Sequence, residues 1–268
     1  PRSLRSILAD SGLLISVSVG VQLIALLLLP WVSRLYTPDT LGDLALILSI
    51  ATLLSIAVGG RYDQAIVVCQ EPLERDHLLR LTLWITGVIT LILFALTPVI
   101  EPRIVATRYA TLQGKLWLIP PVVCALGLST TLSNYALSLG HFKRIATSKA
   151  VQGLGNNGLK VGFGLFSPTV WSLWGAQIAS TLLALVPLLP SLKHHKTING
   201  PTNRRGLKFV ARKYRVFPIF SLPQTLITTL LGSILILMLP LGYTTVEVGL
   251  VSMATMLARR PVQLIADN

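Results

Sequence analysis

The stretch LLISVSVGVQLIALLLLPWV, residues 13–32, decides the fold class, because it runs for twenty successive residues without a charge. About twenty apolar residues in a helix cross the hydrocarbon core of a bilayer. Arg2 and Arg5 precede the run, as in a signal peptide, but the run is too long for one and has no small-residue cleavage site. We therefore interpret it as a retained first transmembrane helix.

The composition of the whole chain supports a membrane protein. Of its 268 residues, 52% are apolar and only 12% are charged, and the mean hydropathy is +0.70. This leaves too little polar surface to cover a soluble domain of that size. Lipid cannot hydrogen-bond the backbone, and the apolar runs lack the alternation of barrel strands, so the sequence predicts helices.

Eight apolar segments are long enough to be transmembrane helices, and the second is ambiguous. It ends near Gly59, or it continues through Arg61 and Asp63 into the apolar stretch 65–68. The fold class predicted is therefore an all-α, polytopic integral membrane protein with about eight transmembrane helices. The predicted segments are 11–32, 41–68, 78–99, 116–138, 147–166, 169–191, 217–240 and 246–264.

The positive charge is distributed as in a membrane protein. The chain carries 23 Lys and Arg against 10 Asp and Glu, a net charge of +13. With the N-terminus in the cytoplasm, 18 of the basic residues fall in cytoplasmic loops and 4 outside, and Lys160 lies within a span. This asymmetry predicts a cytoplasmic N-terminus and explains the charge without nucleic acid as a partner. The two cysteines, Cys69 and Cys124, form no spacing motif, so no disulfide, metal site or cofactor is predicted.

A long polar stretch, residues 192–216, divides the chain. Ten of its residues are basic or His, including the run Lys193-His194-His195-Lys196, which we interpret as solvated charge rather than a metal site. The predicted organisation is a first six-helix transmembrane lobe over 1–191, a basic cytoplasmic linker over 192–216, and the start of a second lobe over 217–268.

An internal repeat supports two lobes. Residues 36–42 read YTPDTLG and residues 243–249 read YTTVEVG, each in the loop that follows the first helix of a predicted lobe. Six spans separate the copies, so they have the same orientation, as in two-lobed transporters that bind substrate between their halves. The alternative is that Tyr, Thr and Gly are ordinary interfacial and turn residues.

Several motifs resemble those of Wzx-type polysaccharide flippases, which belong to the multidrug/oligosaccharidyl-lipid/polysaccharide exporter superfamily. They are RLYTPDTLG at 34–42, RYDQAIV at 61–67, a Pro- and Ser-rich start of the seventh span at 218–223, VGL at 248–250, and Arg-Pro at 260–261. The resemblance covers essentially the whole chain and implies a twelve-helix protein with two six-helix lobes around a cationic cavity. On that pattern the chain is expected to be its N-terminal two-thirds.

The resemblance also implies a function. Such flippases move undecaprenyl-diphosphate-linked oligosaccharides, O-antigen or other surface polysaccharide repeat units, across the bacterial inner membrane by alternating access. The implied partners are this lipid-linked oligosaccharide and the bilayer, with a polysaccharide polymerase and a chain-length regulator as further candidates. Two alternatives remain open: a multidrug/cation antiporter of the same superfamily, and a non-functional fragment of a disrupted flippase gene. An enzyme is not predicted, because no catalytic carboxylates and no large loop domain are visible.

A flippase for an anionic headgroup needs cations within the membrane, where charges are costly unless they are used. Arg61 and Lys160 are the predicted substrate-binding cations, and Asp63, the only carboxylate expected near a span interior, is the predicted ion-coupling residue. Alternatively, Arg61 marks the end of a shorter helix and is neutralised by Asp63, and Lys160 extends its side chain to the interface.

Polar residues within the spans are the predicted contacts for sugar hydroxyls. Asn156, Asn157 and Gln177 are the predicted substrate-binding residues of this kind, and Asn134 is a further polar residue within a span. The alternative is that such side chains hydrogen-bond one helix to another, for about 0.6 kcal/mol each.

Overall fold

A computed structural model of the protein describes residues 4–105, 113–192, 204–244 and 246–255. Within these ranges the chain is helical and contains no strand. Short 3-10 turns at Leu116–Leu118 and Leu239–Leu241, and a π-helical turn at Phe217–Ser221, adjoin the α-helices. The helices are α1 Leu4–Leu35, α2 Pro38–Val58, α3 Tyr62–Val68, α4 Pro72–Val105, α5 Ile119–Ser138, α6 Phe142–Phe166, α7 Val170–Leu185, α8 Leu189–Leu192, α9 Arg204–Lys213, α10 Leu222–Met238 and α11 Val246–Thr255.

Six helical segments of the described chain are long and apolar enough to cross a membrane. They agree with six of the eight predicted spans, and the chain is an all-α polytopic membrane protein. The fifth predicted span corresponds to α6, whose 25 residues would extend about 37 Å but which is more polar than the six. Of the eighth, only α11 lies within the described residues. The six segments are Leu14–Leu35, Pro38–Val58, Pro72–Arg103, Leu116–Ser138, Val170–Leu192 and Phe217–Leu241.

The ambiguous second segment is broken into two helices. The α2 helix ends at Val58 and α3 begins at Tyr62, so the shorter alternative, an end near Gly59, is confirmed. Between them Gly60 and Arg61 both have positive φ, +56° and +58°. Only Gly adopts this left-handed conformation without steric cost, and Arg61 bears a penalty of about 1–2 kcal/mol there.

The helices pack around two hydrophobic clusters. One contains Tyr36, Leu44 and Trp174 and lies among α2, α5 and α7. The second contains Ile66 and Tyr135 and lies among α3, α4 and α5. The outer helices α1, α4 and α10 instead leave most of their apolar side chains exposed or only partly buried, as expected of surfaces that face lipid.

The segments that contain the two copies of the predicted repeat lie against each other. The α10 helix packs on α2, and Gly249 of α11 lies so close to α2 that a Cβ there would be 1.9 Å from the Pro38 carbonyl oxygen. Only Gly permits this approach. The repeat itself and the division into lobes stay predictions.

Part of the predicted linker is a docked helix. The α9 helix packs on α4, where the Lys213 ammonium lies 2.5 Å and 2.8 Å from the two Glu74 carboxylate oxygens and the Tyr214 hydroxyl donates to the same carboxylate at 2.9 Å. The run Lys193-His194-His195-Lys196 lies outside the described residues.

Candidate functional site

A cavity of about 720 Å³ opens where α3, α5 and α6 meet, beside Phe217 at the start of the last long span. Arg61, Asp63 and Gln64 of α3 and the preceding turn line one side, and Lys149 of α6 lies opposite. Its remaining polar lining consists of hydroxyl and amide side chains from α5 and α6. These are Ser129, Thr130, Ser133, Asn134, Ser148 and Gln152.

The strained turn before α3 positions Arg61 in this cavity. One guanidinium nitrogen donates to Thr225 Oγ1 of α10 at 2.7 Å. The Arg61 Nε is buried and has no hydrogen-bond acceptor among the described residues. Leaving a buried donor unsatisfied costs about 1–3 kcal/mol, and non-Gly residues held at positive φ cluster at functional sites. Both features therefore mark Arg61 as a place for an anionic ligand.

Asp63 lies beside Arg61 but has its own partners. Its carboxyl is 6% exposed and accepts a hydrogen bond from Asn134 Nδ2 at 2.9 Å. Burial raises the pKa of Asp63, although the charge of Arg61 and the hydrogen bonds to the carboxylate oppose this shift. The α3 helix thus places a guanidinium and a carboxyl with a raised pKa in one cavity, between two candidate spans.

Lys149 makes the cavity cationic, and sequence reasoning missed it. Arg61 and Lys149 supply two positive charges against one negative charge from Asp63 among the described lining residues. In the sequence Lys149 follows Lys143 and Arg144 closely, which is typical of a loop cation. Only the fold shows that it faces α3.

Of the polar face of α5 only Asn134 was noted from the sequence, although the signal for the whole face is visible there. Ser129, Ser133 and the apolar Leu126 are separated by three or four residues, as are Thr130 and Asn134. Such spacing places side chains on one face of a helix. Hydroxyls and amides on that face can both donate to and accept from sugar hydroxyls.

The structure does not bring the two predicted cations together. Lys160 and Asn157 line a second cavity of about 320 Å³ among α1, α2, α6 and α11. The Lys160 backbone carbonyl accepts from the Tyr36 hydroxyl at 2.8 Å, and Asn157 Nδ2 donates to the Gly153 carbonyl of its own helix at 2.7 Å. Apolar side chains dominate the described lining of this second cavity.

The other two predicted contacts line neither of these cavities. Gln177 of α7 is 7% exposed, and Asn156 of α6 has a buried Oδ1 with no partner in the described ranges. Gly155, next to Asn156, packs against Ser180 of α7. Both side chains therefore lie within the helical bundle, away from the 720 Å³ cavity.

Another buried carboxylate, Asp43, lies within a candidate span, whereas Asp63 lies between two of them, so the expectation that only Asp63 is near a span interior is wrong. Asp43 of α2 is 5% exposed and forms an ion pair with Lys115, just before α5. This buried pair lies at the end of the bundle opposite α9, and neither of its residues is among those that line the 720 Å³ cavity. The apolar residues on both sides of Asp43 are its only signal in the sequence.

Comparison with known proteins gives a family. No curated protein and no solved structure matches the chain. A family described as "polysaccharide biosynthesis protein" matches residues 15–268 and agrees with the resemblance seen in the sequence at the level of family. Because the match covers far more than half of its length, the chain belongs to this polysaccharide biosynthesis protein family.

Proposed function

We propose that the protein is a flippase, which moves an undecaprenyl-diphosphate-linked oligosaccharide across the bacterial inner membrane by alternating access. The main support for the proposal is the position of Arg61, a cation that a strained turn holds in a cavity with a polar lining. Membership of a polysaccharide biosynthesis family supports a cargo of this class. The basic residues of the loops support an orientation with the N-terminus in the cytoplasm.

The cavity fits the two chemical parts of such a cargo. A guanidinium can donate two parallel hydrogen bonds to phosphate oxygens, and Lys149 adds a point charge on the facing helix. The hydroxyls and amides of α5 and α6 then contact the sugar. The lipid chain stays in the bilayer outside the cavity, so only the polar headgroup has to be screened from hydrocarbon.

The charge balance favours this cargo over a cationic drug. An antiporter for cations would need acidic side chains in its cavity to offset the charge of the substrate. Here Asp63 is outnumbered by Arg61 and Lys149 among the described lining residues. A substrate with a diphosphate supplies the negative charge that neutralises the excess positive charge of these residues.

Contacts to α10, and to Ser221 just before it, suggest how substrate binding is coupled to a movement of this helix. Arg61 donates to Thr225, and the Ser221 hydroxyl donates to the Gln64 side chain at 2.5 Å. A phosphate that binds Arg61 competes with Thr225 for the guanidinium and so weakens the contact between the α3 turn and α10. The carboxyl of Asp63, whose pKa is raised, can take up a proton in the same step.

A transport assay with purified protein in vesicles tests the proposal. The substrate is an undecaprenyl-diphosphate oligosaccharide with a fluorophore on the sugar, and dithionite added outside bleaches only the outward-facing copies. We expect wild-type protein to make nearly all of the fluorophore accessible to dithionite. The control variant Arg103→Ala, at an exposed position, should do the same. Arg61→Ala is expected to leave about half protected, as in vesicles without protein.

Two results would overturn the proposal. One is equal translocation by Arg61→Ala and wild type at matched protein levels. The other is transport of a cationic dye, with no transport of the oligosaccharide lipid, which would assign the protein to the antiporters. Surface-polysaccharide complementation by the same variants, in cells that lack the gene, gives an independent readout.

A further inference from the structure

The α9 helix has one face that docks on the protein. Val210 is 1% exposed, Lys213 pairs with Glu74, and Gly206 lies so close to His77 that a Cβ there would be 2.6 Å from the imidazole Nε2. The Tyr62 hydroxyl donates to the Ala211 carbonyl at 3.2 Å. These contacts fix the rotation of α9 about its axis.

With that rotation fixed, an adjacent face of α9 remains outside, beside Lys213. Arg205, Lys208 and Arg212 are exposed on it, and Phe209 between them is 59% exposed. Positions three, four and seven residues apart share one face of a helix, so this basic face, which we define as Arg205, Lys208, Phe209 and Arg212, is continuous. A shallow depression of about 480 Å³ runs along it.

The basic face lies where a membrane surface is expected. The α9 helix ends at Lys213, and a candidate span begins at Phe217. The helix also docks on the first turns of α4, whose candidate span begins at Pro72. Exposed apolar residues, Val216 and Phe220 among them, follow directly in the chain. Both neighbouring spans therefore enter the bilayer close to α9.

We propose that the basic face of α9 binds the surface of a bilayer that contains anionic headgroups. Amphipathic helices with Lys and Arg beside an aromatic residue lie in the interface, where the aromatic side chain enters the boundary between headgroups and acyl chains. The cations bind lipid phosphates and Phe209 enters that boundary. A soluble acidic protein would match the charges but would give no role to an exposed aromatic residue next to a span. This proposal does not depend on the transported substrate.

A fluorophore in place of Phe209 tests the contact in the full chain. Cys69→Ser and Cys124→Ser remove the native thiols, and Phe209→Cys is labelled with an environment-sensitive dye. The protein is reconstituted in phosphatidylcholine vesicles with zero to 40% phosphatidylglycerol. We expect the emission to shift to the blue as the anionic fraction rises, and to shift back when salt is added, because salt screens surface charge.

Matched variants show whether the charges of α9 cause the shift. Each basic residue near an anionic surface contributes about 1 kcal/mol, so the double variant Lys208→Ala with Arg212→Ala should need at least about twice the phosphatidylglycerol fraction for half of the shift, or fail to reach half of it at 40%. Lys143→Ala, an exposed lysine at the start of α6, should leave it unchanged.

Three results would overturn the proposal. The first is the same emission in neutral and anionic vesicles. The second is an equal response in the double variant and in the parent. The third is a blue shift on addition of soluble polyglutamate without any response to phosphatidylglycerol, which would identify an acidic protein as the partner. The substitutions on α9 and at Lys143 are at exposed positions and are not expected to impair folding. Cys69→Ser replaces a buried thiol, so gel filtration compares this background with wild type as well as the variants.

Discussion

The two cavities hold their cations in different ways. The larger cavity presents Arg61 from a turn that breaks a helix, whereas the smaller cavity contains Lys160 within the continuous helix α6. Hydroxyls, amides and a second cation surround Arg61, but mainly apolar side chains surround Lys160. A cation inside a helical bundle is therefore not in itself an anion site. A buried cation can bind an anion where the cavity also contains polar groups and enough space for the ligand.

The largest expected effect is the loss of the Arg61 guanidinium. Hydrogen bonds to charged groups contribute about 1.5–3 kcal/mol, so Arg61→Ala should weaken diphosphate binding by about 10- to 100-fold. Isothermal titration of the purified protein with inorganic diphosphate, and then with a short-chain lipid diphosphate, measures this. A loss below threefold would mean that Arg61 is only a helix-end residue bound to Thr225.

The second prediction concerns Asp63 and pH. Burial raises its pKa, so as pH falls through that raised pKa the carboxyl becomes neutral and the cavity gains net positive charge. Diphosphate should therefore bind more tightly at lower pH. Asp63→Asn should bind about 5- to 10-fold more tightly than wild type at pH 8, where one negative charge a few ångströms from the anion is removed.

The phosphate groups of the diphosphate also titrate, so the affinities of wild type and Asp63→Asn are compared at each pH. Because the titration of diphosphate affects both proteins equally, the ratio of Asp63→Asn affinity to wild-type affinity isolates Asp63. This ratio should be large at high pH and approach one at low pH. A ratio that stays constant from pH 8 down to about pH 4, the ordinary pKa of an aspartate, would show that Asp63 does not titrate beside the ligand.

Hydrophobicity explains why most of the fold was predictable from the sequence. Runs such as residues 13–32 can be buried only in lipid, so their length alone predicts a span. The docking of α9 was not predictable, because the stretch 192–216 is polar and its helix is positioned by Glu74, which is far away in sequence. The same limit applies to α6, whose polar glycine-rich centre resembles a site but packs partly against α7.

The candidate site was predictable in part. Charge next to an apolar run identified Arg61 and Asp63, because charged groups near lipid are costly. Lys149 and the hydroxyl residues of α5 were missed because only tertiary packing shows that α5 and α6 face α3. The left-handed conformation of Arg61 also lay beyond sequence reasoning, since Gly59 and Gly60 next to it are the residues that usually adopt it.

The third prediction separates the strain at Arg61 from its charge. Gly adopts φ of +58° without the cost of about 1–2 kcal/mol that other residues bear, but it loses about 0.5–1 kcal/mol more conformational entropy on folding. Arg61→Gly should therefore be more stable than Arg61→Ala by about 0.5–1 kcal/mol. Thermal unfolding in detergent compares the two variants, and both should bind diphosphate about 10- to 100-fold more weakly than wild type. Equal stability would mean that the turn relaxes when the guanidinium is removed.

The smallest expected effect is at Lys160, and it bears directly on the difference between the cavities. Lys160 lines the smaller cavity, away from Arg61, so Lys160→Ala should change diphosphate affinity by less than about twofold. Lys149→Ala, also on α6, should weaken it by about threefold, because an exposed charge interacts with an anion by less than 1 kcal/mol. Titration of the two variants side by side gives this ratio. If Lys160→Ala weakened binding more than Lys149→Ala did, the ligand would occupy the smaller cavity. The volume and the polar lining of a cavity would then not explain which of the two cations binds an anion.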